Sequence, residues 1–101
     1  MTGAEHSVIA LIARFALRRQ ASSSEFMAGV WLVSTGAVHL RQMSARMLQA
    51  LVSDGTTLAV SIVAEGDDLV GECSCGSVRG EVCRHQVAAA HAAWLQLPET
   101  E

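Results

Sequence analysis

Cys73-Ser74-Cys75-Gly76-Ser77-Val78-Arg79-Gly80-Glu81-Val82-Cys83-Arg84-His85-Gln86 gathers every cysteine of the chain and one histidine into a C-x-C, seven-residue spacer, C-x-H pattern. Thiolate and imidazole are the donors zinc prefers in tetrahedral sites, and a shell closed by four protein ligands leaves no position for substrate or activated water. The pattern predicts one structural Zn²⁺ held by Cys73, Cys75, Cys83 and His85. A C-x-C pair at a strand end directs both side chains to one side, because strand side chains alternate with period two. The spacer must then turn the chain back, and Gly76 and Gly80 supply the positive-φ options for a tight knuckle.

Other chemistries fit these residues less well. An iron–sulfur site asks for a fourth cysteine or a second histidine, and a catalytic thiol asks for a general base and an open pocket, whereas the local histidine is consumed as a ligand. His91 is an alternative fourth ligand, but it lies six residues beyond His85 on the other side of a helix. The chain therefore reads as a non-enzyme.

The knuckle and the alanine-rich run after it resemble the SWIM zinc finger, which is named for chromatin-remodelling helicases and Mutator-type transposases. The run Gly36-Ala37-Val38 through Leu58-Ala59-Val60-Ser61-Ile62 looks like the strand region that precedes that finger, so the resemblance covers residues 28 to 97. It implies a stand-alone small SWIM domain. SWIM fingers accompany helicases, transposases, ubiquitin-ligase components and partners of recombinase paralogues, which implies protein or DNA contact within DNA-transaction complexes. The chain has no P-loop and no helicase or transposase motif, so that role is one of subunit or adaptor.

Outward from the knuckle, residues 84 to 97 are alanine-rich, free of glycine and stopped by Pro98, which predicts a helix. Its phase puts His85, Ala88, Ala89 and Ala92 on the knuckle side, with Val87, His91 and Trp94 on an opposite stripe that serves as core seam or partner surface. Upstream, short β-type segments are expected at Val30 to Val33, Ala37 to Gln42, Arg46 to Val52, Thr57 to Val63 and Leu69 to Cys73. Asp54-Gly55 and Gly66-Asp67 fit tight turns, giving a meander of hairpins. Met43, Met47 and Leu51 also match a helical repeat, so that segment admits a second reading.

Residues 5 to 20 place Val8, Leu11, Ile12 and Phe15 at helical intervals, and Ala21-Ser22-Ser23-Ser24 breaks the pattern. The expected organisation is an N-terminal amphipathic helix and linker over 1–24 and a SWIM zinc-finger domain over 25–101. The fold class is α+β: a small antiparallel β meander leading into a zinc knuckle and a C-terminal helix, plus an N-terminal helix. Trp31 and Trp94 are expected in the core.

Composition narrows the partners. The chain has 101 residues, half of them apolar, and a net charge of −3, with seven basic residues that are all arginine. Three thiolates against one dication make a loaded site more acidic still. The positive footprint of a dedicated duplex binder is missing. A protein partner such as a helicase, a recombinase-type or another DNA-processing protein is favoured, through Trp94 or the first helix. Direct nucleic-acid binding through Arg79 and Arg84 is the weaker alternative, and a zinc–thiolate redox sensor the third. A homo-oligomer through the first helix is a further option. An odd cysteine count and a close C-x-C pair argue against an oxidised disulfide framework. No run reaches the ~18 apolar residues of a membrane helix. A cytoplasmic location is expected, nucleoid or nuclear if the chain is DNA-associated.

Overall fold

A computed structural model describes residues 21–44, 46–65, 68–76 and 82–96. The amphipathic stretch 5–20 lies outside the described residues. Helix α1 (Ser23–Ser34) is followed by strands β1 (Val38–Met43), β2 (Met47–Ser53), β3 (Thr57–Glu65) and β4 (Asp68–Cys73), and then by helix α2 (Arg84–Leu95). The strands form one antiparallel sheet in the order β1-β2-β3-β4, so each hydrogen-bonds its neighbour in sequence.

Alternation builds the core face of this meander. Leu48, Ala50 and Val52 of β2 and Leu58, Val60 and Ile62 of β3 point inward and are buried, as period-two geometry requires. Leu69 and Cys73 continue that face on β4, where Cys73 pairs with Val60 and Gly71 with Ile62. Met43 ends β1 and residues 47–51 lie in β2, so the described part of this stretch holds no helix. A register shift between Leu40 and Gln42, a bulge, lets Val38, Leu40 and Met43 all pack against the core.

Helix α2 touches all four strands, and α1 packs on α2. A helix packed on both sides must be apolar nearly all round, and α2 meets this with Val87, Ala88, Ala89, Ala90, Ala92 and Ala93 buried, alongside the polar His85 and Gln86. Small alanines allow close approach to the sheet, and glycines do so at two points. A Cβ at Gly71 would lie 2.5 Å from Gln86 Oε1, and one at Gly29 of α1 would lie 2.5 Å from Val87 Cγ1. Val87 is thus the seam between the helices, while His91 and Trp94 remain half-buried and stack with ring centroids 5.7 Å apart.

Two expectations need correction. Val30 to Val33 is helical, the last part of α1. Its β-branched residues favour strand only weakly, and both helix ends are fixed by local chemistry. Ser22 is the N-cap, its Oγ accepting a hydrogen bond from Glu25 N–H at 3.2 Å, so the serine run that breaks the N-terminal pattern starts this helix. At the other end Gly36 adopts φ 77°, its N–H donates to Val33 O, and Ala37 N–H donates to Leu32 O. That is a Schellman closure, which requires the left-handed conformation glycine supplies. The second correction is Trp31, which is 63% exposed: α1 buries only Gly29 and Leu32.

Candidate metal centre

The four predicted ligands converge where the sheet's core face meets the N-terminus of α2. Cys73 closes β4 with its thiol on the buried side. Beyond it the knuckle is tied to β3: Ser74 N–H donates to Ala59 O at 3.0 Å, and Ala59 N–H donates to Ser74 Oγ at 2.9 Å. Gly76, at φ 98°, turns the chain, and its N–H reaches Cys73 O at 3.4 Å. Cys75 is exposed on this turn. Cys83 is the N-cap of α2, in extended conformation, and its side chain makes no capping hydrogen bond. Its sulfur is therefore left to the cluster, and His85 follows within the first helical turn.

One donor atom from each of Cys73, Cys75, Cys83 and His85 lies within 4.8 Å of the other three, and the four are placed to hold one metal ion. Cys73 Sγ and His85 Nδ1 are 3.6 Å apart. In a tetrahedral zinc site, with Zn–S about 2.3 Å and Zn–N about 2.0–2.1 Å, the corresponding S···N edge is about 3.5–3.6 Å. The donor set and this edge both fit zinc. Burial pushes the Cys73 thiol up to about 12, with the neighbouring Cys75 and Cys83 adding to the rise, against a hydrogen bond from Cys75 N–H that lowers it. Metal binding must displace that proton.

His85 is buried, and its second ring nitrogen, Nε2, lies 2.8 Å from Asp54 Oδ2. Asp54 belongs to the β2–β3 hairpin turn, where its N–H donates to Thr56 O at 2.9 Å and Gly55 adopts φ 80°. Sequence reading took Asp54-Gly55 for a turn and gave Asp54 no part in the site. Its neighbourhood to His85 depends on where the hairpin docks against α2, for which the dipeptide carries no signal.

The expected contact residues are placed differently from one another. Arg79 lies outside the described residues. Arg84 is exposed and ion-paired with Glu25 of α1, its Nη2 3.1 Å from Oε2. Glu25 Oε1 also accepts the Arg84 backbone N–H at 2.7 Å, so a carboxylate from α1 caps α2, whose own N-cap cysteine does not. Arg84 holds the Glu25 carboxyl below its usual range. Trp94 is half-buried against the core and stacked on His91. Ser22-x-x-Glu25 is the sequence signal that could have located both the start of α1 and this acid, since serine followed three residues later by glutamate marks a helix N-terminus.

Fold and site together define a small α+β protein with a Cys3His cluster, placed to hold one metal ion, between a β meander and a helix. Comparison with protein-family models, curated proteins and solved structures returns no match. Among the described residues no helix is long and apolar enough to cross a membrane.

Proposed function

We propose that this chain is a SWIM-type zinc module whose metal is structural and whose work is protein contact within a DNA-transaction complex. The carrying observation is the convergence of Cys73, Cys75, Cys83 and His85 within 4.8 Å at the joint between sheet and helix. Four protein donors saturate a tetrahedral ion, so the module binds rather than catalyses. Two surface features favour a protein partner over nucleic acid. Met27 and Trp31, one helical turn apart on α1, are 64% and 63% exposed, and aromatic and methionine side chains are what protein interfaces select. Arg84, the described arginine of the knuckle, has its charge matched by Glu25.

The test begins with metal content of the untagged protein by native mass spectrometry. One zinc per chain is expected, and Cys83→Ser is expected to lose stoichiometric metal; a variant that keeps it would refute the ligand set. The metal-loaded chain is then titrated with single-stranded and duplex DNA at low and moderate salt. The adaptor reading expects no saturable binding. Binding that weakens steeply with salt would replace it with the nucleic-acid reading.

A further inference from the structure

Asp54 and His85 lie 31 residues apart in sequence, yet Asp54 Oδ2 is 2.8 Å from His85 Nε2, while Nδ1 of the same ring faces Cys73 Sγ at 3.6 Å. A carboxylate only accepts, so at this distance the proton of the neutral imidazole sits on Nε2 and the lone pair on Nδ1. We infer that Asp54 is the outer-shell carboxylate of the metal centre, a positioning residue that fixes the tautomer and orientation of His85 so that the ion is bound through Nδ1. The inference rests on the metal-centre reading and deepens it by naming which histidine nitrogen binds and what sets it.

The fold delivers Asp54 to this place by its own constraints. Antiparallel pairing of Ser53 with Thr57 leaves three residues to close the β2–β3 turn, and the Asp54 N–H to Thr56 O bond and the positive φ of Gly55 fix its shape. Val52 and Leu58, on either side of the turn, are buried in the core, which holds the hairpin end near α2. On the other side of the contact, His85 has a side chain only 10% exposed, whereas that of Asp54 is 40% exposed. The imidazole is enclosed, and the carboxylate meets it from the solvent side. Asp54 is not among the cluster's own donors, whose atoms all lie within 4.8 Å of one another. Its role is thus to hold a ligand. A carboxylate hydrogen-bonded to a ligating imidazole makes the ring a better donor and restrains its rotation; losing such a partner typically lowers metal affinity about 10–100-fold.

The experiment uses the full chain loaded with zinc. Long-range ¹H–¹⁵N spectra of the histidine rings report which nitrogen of His85 carries the metal and which the proton, and competition with a chromophoric chelator reports affinity. Wild type is expected to show zinc on Nδ1 and a proton on Nε2. Asp54→Ala is expected to keep one zinc per chain at about 10–100-fold weaker affinity, with a shifted and broadened His85 Nε2–H signal. Asp54→Asn retains an acceptor oxygen and should lose less. Zinc on Nε2 in wild type overturns the inference while leaving the metal centre intact, and so does an Asp54→Ala chain with unchanged affinity and unchanged His85 resonances. A wild-type chain that binds no zinc overturns the metal-centre reading and the inference together. The wild-type spectrum decides the nitrogen even if the alanine variant does not fold.

Discussion

At the scale of single residues, the centre combines one enclosed thiol with one exposed thiol. Cys73 is nearly inaccessible on the core face, and burial holds its proton up to about 12, against an ordinary value of 9.0. A bound ion replaces that proton, so raising the pH removes a competitor and strengthens binding. Chelator competition is expected to show zinc affinity rising from mildly acidic to mildly alkaline pH as the thiol protons are lost, and a flat profile would contradict thiolate ligation. The Cys3His cluster was legible in sequence because a demand for four metal donors leaves a spacing signature within one short segment. Asp54 was not, because a hydrogen bond between a hairpin turn and a helix depends on tertiary docking.

At the scale of elements, the four strands and α2 were readable because each has a strong period: alternation for Leu48, Ala50 and Val52, and an unbroken alanine-rich run for α2. Helix α1 was missed because Val30, Trp31, Leu32 and Val33 look like strand residues, and the cap signals at Ser22 and Gly36 that overrule them are single positions. The reason α1 needs a glycine in its middle is likewise invisible in sequence. A methyl group at Gly29 would meet Val87 Cγ1 at 2.5 Å and Arg84 O at 2.7 Å. Glycine in a helix interior costs about 1 kcal/mol relative to alanine, while overpacking a close contact costs typically 1–3 kcal/mol. The backbone carbonyl cannot move aside as a side chain can, so the steric term wins. Gly29→Ala is expected to destabilise the fold by up to about 2 kcal/mol, read from the midpoint of urea unfolding. Because one of the clashing groups is the Val87 side chain, Gly29→Ala combined with Val87→Ala should cost less than the sum of the two single changes. Strict additivity would place the clash elsewhere.

At the scale of the whole molecule, an ion held by the Cys3His cluster would close the structure rather than decorate it. The inner face of the sheet is covered by α2, and the cluster draws on the last residue of β4 (Cys73), the turn after it (Cys75), the N-cap of α2 (Cys83) and its first turn (His85), so that it lies where the two layers meet. The N-terminus of α2 is tied to other elements rather than by its own cap: the N-cap side chain makes no capping bond, and the first-turn contacts run to Glu25 and Asp54. A sheet whose buried face is Leu48, Val52, Leu58, Val60 and Ile62 cannot stand in water without that cover. Metal, helix and sheet should therefore unfold as one unit. Binding free energies of structural zinc are about 10–16 kcal/mol at neutral pH, and a whole domain is stable by only about 5–15 kcal/mol. Removing the ion should accordingly take away most of the margin. Chelation followed by circular dichroism is expected to abolish helical and strand signals in a single transition with an isodichroic point, reversed by added zinc, and to expose the core to a hydrophobic dye. A helical signal that disappears while the sheet persists would mean that the meander is held by contacts other than α2, and that the metal only fastens the helix.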